Sequence, residues 1–85
     1  MAWRIRFSAA AEKALVKLDR PTSRRLLDFL ETRTIPEPRR TGKAMRGDER
    51  AWRYRVGNYR IVCDIDDRTQ TVYVVRVGHR SSVYE

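Results

Sequence analysis

Cysteine, histidine and glycine are scarce in this chain, and each scarcity excludes something. A single cysteine, Cys63, has no partner for an internal disulfide, which points to a reducing, cytoplasmic setting. One histidine and one cysteine are too few to build a zinc site, and no metal or other cofactor is expected. The four glycines never assemble into a phosphate loop of the GxxxxGK(S/T) kind, and no serine sits in a nucleophile elbow. No apolar run approaches the roughly 18 residues of a membrane span. Met1-Ala2-Trp3-Arg4-Ile5-Arg6 opens without an apolar stretch of signal-peptide length. Repeats are absent, and 85 residues leave room for one domain, 1–85, with one sheet and two helices.

Basic charge is abundant. Hydrophobic residues make up 41% and charged ones 35%, too apolar for a disordered chain and too charged for a membrane one. The net charge of +8 suits an anionic partner, nucleic acid first among them. Between Arg39 and Arg60 stand eight basic residues and only two acids, Asp48 and Glu49. A merely solvated basic surface is the competing reading.

Trp3-Arg4-Ile5-Arg6-Phe7 alternates apolar and basic, as a half-buried strand does. Ser8 is a fitting N-cap for a helix whose stripe is Ala11, Ala14, Leu15 and Leu18. Pro21 suits the first turn of a second helix, with Leu26, Leu27 and Leu30 as its buried face beside Phe29. Ile35-Pro36-Glu37-Pro38 ends it, because two prolines so close exclude helix and central strand alike. A basic loop is expected to run on to about Arg50. Strands follow at 52–56, 59–66 and 71–77, the last apolar on both faces and so central. The class is α+β, in the order β-α-α-β-β-β: a helical hairpin packed on a small, mainly antiparallel four-stranded sheet. The partner of the first strand does not follow from the sequence.

Gly57-Asn58 between two strand patterns reads as a tight hairpin with a type II′ turn, and so short a turn fixes the register. Val56 then faces Tyr59, Arg55 faces Arg60, Tyr54 faces Ile61 and Arg53 faces Val62. Paired residues share a face of the sheet. Trp52, Tyr54, Val56, Tyr59, Ile61 and Cys63 therefore turn to the core, and Arg53, Arg55 and Arg60 turn away together. Like charges directly opposite cost a hairpin up to about 1 kcal/mol. A phosphate reverses that sign, since guanidinium forks match its oxygens two at a time. Past the last strand come Gly78, His79, Arg80 and Tyr84. Histidine is the side-chain type that titrates near neutrality, so His79 is the acid–base candidate.

The run from Trp52 to Val62, followed by Val75-Arg76-Val77-Gly78-His79-Arg80 and Val83-Tyr84, resembles the RelE branch of the RelE/ParE toxin superfamily. The preceding Arg39-Arg40-Thr41-Gly42-Lys43-Ala44-Met45-Arg46-Gly47 is similar to that family's loop. The resemblance implies a RelE-like fold and a metal-independent endoribonuclease that cuts messenger RNA in the ribosomal A site, by attack of a ribose 2′-hydroxyl on its own phosphodiester. It implies as partners a cognate antitoxin, the ribosome and mRNA, with operator DNA reached only through the antitoxin complex and no membrane. By position, catalytic roles fall on Arg53, Arg55, Arg60, Arg80 and Tyr84, with His79 added on chemistry. RNA binding falls on Arg39, Arg40, Lys43 and Arg46. The best-known members carry lysine where this chain has Arg53 and Arg55, and a guanidinium stabilises charge but hardly accepts a proton. A ParE-type toxin acting on DNA gyrase, an inert RNA-binding module and a small adaptor for an acidic protein are the other readings.

Overall fold

A computed structural model describes residues 3–45 and 47–79, with the backbone alone at 48 and 49. Its elements are strand β1 (Arg4–Phe7), helices α1 (Ala9–Lys17) and α2 (Arg20–Phe29), and strands β2 (Lys43–Met45), β3 (Asp48–Val56), β4 (Tyr59–Asp66) and β5 (Thr71–His79). Ser8 caps α1, its Oγ accepting from the amide of Ala11 at 3.0 Å. Asp19 caps α2 by accepting from the amide and the hydroxyl of Thr22, at 3.1 and 2.7 Å. Pro21 sits in the first turn of α2, where its missing N–H costs nothing. A π-helical turn over Leu30–Thr34 extends α2, and it stops at the two prolines that follow.

The sheet has five strands in the order β1-β5-β4-β3-β2. This corrects the expected four. Lys43–Met45, read as loop, pairs antiparallel with β3, matching Lys43 to Arg53 and Ala44 to Trp52. Three residues are too few to show a period of two, so the sequence carries no strand signal there. Likewise β3 begins at Asp48, inside the stretch expected to be loop. The first strand runs parallel to the last, Ile5 beside Val72 and Phe7 beside Val74.

Both helices lie on one face of the sheet, and the core forms between them. Ala11, Leu26, Leu30, Tyr54, Ile61, Cys63, Ile65, Val72 and Val74 are buried there. Burial holds the Cys63 thiol protonated, as a small apolar group rather than a nucleophile. Leu27 departs from expectation: it is 40% exposed, since in α2 only Leu26 lies squarely on the sheet. The strand Thr71–His79 is interior, as expected, yet its outer face is uncovered, with Tyr73 and Val75 in solvent.

One irregularity decides which side chains share that outer face. Pairing steps from Val62–Arg76 to Cys63–Val74, so Val75 is an extra residue, a bulge on β5. The Ser8 hydroxyl donates to the Val75 carbonyl at 2.7 Å while the Ser8 amide bonds the carbonyl of Val74. Side chains beyond the bulge are thereby shifted by one position: Val77 turns inward opposite Ile61, and Arg76 turns outward opposite Val62.

Candidate functional site

The β3–β4 hairpin has the register that its turn requires. Val56 pairs with Tyr59, Arg55 with Arg60, Tyr54 with Ile61 and Arg53 with Val62. Gly57 is at φ +61° while Asn58 stays at negative φ, the signature of type II′ rather than I′. Tyr54, Val56, Ile61 and Cys63 face the core, so Arg53, Arg55 and Arg60 share the opposite face. Lys43, paired with Arg53, brings β2 to the same place.

Because β2 reaches only as far as Arg53, the edge of β3 from Tyr54 onward has no strand beside it among the described residues. A cleft of about 420 Å³ opens there. Lys43, Arg53, Arg55 and Arg60 line it with Phe29, Thr41, Gly42 and Tyr54. Four cations line it and, among the described residues, no carboxylate does, a composition suited to an anion. Guanidinium groups in such a cleft can grip two oxygens of a phosphoryl group and stabilise charge that builds on it.

The wall of the cleft is pinned from the core. The Tyr54 hydroxyl, fully buried, donates to the carbonyl of Pro38. Trp52 Nε1 donates to the carbonyl of Thr41 at 2.8 Å. Burial pushes the Tyr54 phenol well above its ordinary pKa, so it stays a donor. Gly42 lies at φ +81°, and a Cβ there would stand 2.4 Å from the Arg53 carbonyl oxygen. Only glycine lets the loop cross β3 this closely. These contacts were not expected from sequence. The one available signal was Tyr54 itself, since a core tyrosine needs a partner for its hydroxyl.

Of the loop cations expected to bind RNA, Lys43 lines the cleft, and Arg40 is exposed beside it in sequence. Arg39 is engaged elsewhere. It grips Asp67 through two bonds of 2.8 and 3.0 Å, and its guanidinium lies 5.7 Å from the Trp52 ring centre. The bond from Arg39 holds the Asp67 carboxyl below the usual carboxylate range. Arg46, Arg80 and Tyr84 lie outside the described residues.

His79 is not brought together with the arginines. It pairs with Tyr59, and their rings meet edge-to-face at 5.6 Å. That is the core-side face, whereas Gly78 stands opposite Arg60. Without the bulge the parity of β5 would be reversed and His79 would share the face of Arg60. Among the described residues, no group of three or more His, Cys, Asp or Glu side chains is placed to hold a metal, and no helix is long and apolar enough to cross a membrane.

Residues 5–84 match the family model described as ParE toxin of the type II toxin–antitoxin system. Toxin RelG of Mycobacterium tuberculosis is 33% identical over 85 residues, covering 99% of this chain and 98% of that protein. The crystal structure of the toxin–antitoxin complex RelBE2 from the same organism contains a chain that superposes with a TM-score of 0.84 at 33% identity, covering 94% of this chain and all of that one. A mutant of E. coli toxin RelE in the free state gives 0.80 at 27% identity, over 96% and 88% of the two chains.

Proposed function

This chain belongs to the RelE branch of the RelE/ParE family of type II toxins, and we propose that it is a metal-independent endoribonuclease that cuts messenger RNA in the ribosomal A site. The observation that carries the reading is the Arg55–Arg60 pair. Two arginines occupy directly opposed positions of the ladder, with Arg53 and Lys43 beside them, in a cleft that no carboxylate lines among the described residues. A fold alone gains nothing from such an arrangement. A phosphodiester under attack gains a great deal, because negative charge accumulates on its non-bridging oxygens.

The ribose 2′-hydroxyl attacks the adjacent phosphorus, the P–O5′ bond breaks, and a cyclic phosphate and a 5′-hydroxyl result. Arg55 and Arg60 hold the non-bridging oxygens. Arg53 and Lys43 hold the flanking phosphates and fix the strand in line for attack, which is where much of a phosphoryl-transfer rate arises. Arg80 follows β5 and joins the clamp. Nothing in the described cleft is a natural proton acceptor, so the chain's part here is charge stabilisation and orientation. Tyr84 is assigned the stacking of a base or the relay of a proton. Arg40 and Arg46 extend the cationic path along the RNA.

Relatives such as RelBE2 occur as toxin–antitoxin complexes, and a cognate antitoxin is the partner inferred for this chain. A segment with acidic character would cover the arginine face, and operator DNA would be met only in that complex. Action on translated RNA places the protein in the cytoplasm. The family model bears the name of ParE, which favours a second reading as an inhibitor of DNA gyrase. Primer extension on messages under translation decides between them. Cuts within codons, lost in Arg60→Ala, support the nuclease. Intact messages with altered plasmid supercoiling would replace it with the gyrase reading.

A further inference from the structure

The outer face of the sheet continues well past the arginine cleft, and no helix covers it among the described residues. Its far half carries a second hollow of about 400 Å³, lined by Arg4 and Arg6 of β1, Arg50 of β3, Asp64 and Asp66 of β4, Thr71 and Tyr73 of β5, and Thr69 of the turn between those two strands. Those of β1, β4 and β5 are neighbours by register. Arg6 and Asp64 flank Tyr73 on its two sides, and Arg4 and Asp66 flank Thr71 in the same way.

Tyr73 is 42% exposed although it stands on an interior strand. An aromatic ring lying open at the middle of a sheet, with a cation on one side and a carboxylate on the other, has the parts of a base-recognition site. The ring offers a stacking platform. The Asp64 carboxylate, held 3.5 Å from Arg50 Nε through Oδ1, is an acceptor of the kind that exocyclic amino groups of a base seek. Arg6 meets the phosphate that follows. The hollow lies on the same face of the sheet as the arginines of the cleft. From Tyr73 to Arg60 is one strand across and four residues along, roughly 14 Å. Arg76, turned outward by the bulge, stands between them. Charge complementarity names the occupant: Arg4, Arg6 and Arg76 join the four cations of the cleft on one face, opposed there by Asp64 and Asp66.

We propose that Tyr73, with Arg6 and Asp64, forms a second RNA subsite that stacks one unpaired base a few nucleotides away from the bond that is cut. This rests on the ribonuclease reading above and adds to it a site for single-stranded RNA outside the cleft.

The test is binding of a short fluorescein-labelled 2′-O-methyl RNA, which cannot be cut, to the purified full chain. Tyr73→Thr keeps a strand-forming residue and removes the ring. It should weaken binding about tenfold, the order of one lost stack, while Tyr73→Phe binds as the parent does. Arg6→Ala should lower the slope of log affinity against log salt by about 0.7, one phosphate contact on a single strand, and Tyr73→Thr should leave that slope unchanged. If Arg60→Ala weakens binding and Tyr73→Thr does not, the subsite is overturned and the nuclease reading stands. Tighter binding of Tyr73→Thr to an antitoxin-like acidic peptide, with RNA binding unaltered, overturns the subsite equally. If neither variant changes RNA binding, the failure lies with the nuclease reading itself.

Discussion

Arg55 and Arg60 occupy directly opposed positions one step from the hairpin turn, where Cα atoms of a non-hydrogen-bonded pair approach to about 4.5 Å. Both side chains lie on the face of the sheet turned away from the core. Arg60→Ala should therefore melt within a few degrees of the parent. Its single-turnover RNA cleavage on programmed ribosomes should fall by roughly 10²-fold or more, the usual effect of removing one preorganised charge donor. A variant that still arrests growth at full strength would take the phosphate role away from this pair.

Two glycines of the loop should differ sharply. Gly42 and Gly47 both lie at positive φ, +81° and +75°, but a Cβ at Gly42 meets the β3 backbone while nothing lies within 4 Å of one at Gly47. Gly47→Ala should cost about 1 kcal/mol of backbone strain alone. Gly42→Ala should cost roughly 2 kcal/mol or more and disturb the cleft wall as well. Urea denaturation of the two variants side by side measures the difference, and equal losses would mean that the close crossing of β3 is relaxed in solution.

His79 lies against Tyr59 on the core side of the sheet, away from the cleft. His79→Ala should change single-turnover cleavage by less than about tenfold, short of the 10²–10⁴ that a general acid or base supplies. A larger loss, with a pH–rate profile that loses one limb, would return the proton to His79.

Acid should loosen the molecule at two defined points. Asp19 accepts from Thr22 and Asp67 from Arg39, and both carboxyls are held below their ordinary pKa. A depressed folded pKa adds stability that is present above the unfolded value, near 3.9, and is lost as pH falls through the folded one. Melting temperature should thus fall below about pH 4, and Asp67→Asn should flatten that fall. An unchanged acid limb in Asp67→Asn would show that the Arg39–Asp67 pair is open in solution.

The hairpin was legible in the sequence because a two-residue turn leaves one register, and alternation then assigns every side chain from Trp52 to Cys63 a face. The helix starts were legible because Ser8 is a cap whose chemistry is local and Pro21 suits a first turn, whereas the Asp19 cap was shown only by the structure. What escaped was set by distance or by a single residue. The pairing of β1 with β5 joins segments 67 residues apart, as Arg4 with Thr71. The extra residue at Val75 looks like any other valine, yet it decides that Arg76 faces the arginine side of the sheet and that His79 does not. Lys43 was identified as a cation of the site, but the strand that delivers it is too short to announce itself.

The parallel pairing of the first strand with the last also constrains when this molecule can become whole. Residues 4–7 emerge from the ribosome early and have no strand to pair with until 71–74 have been made. The arginine hairpin can close before residues 71–74 are made, since its contacts are local. The sheet that supports it cannot, and neither can the outer face on which Tyr73 and Arg6 meet. Each copy therefore reaches its native sheet only after residues 71–74 have joined the strand that was made first.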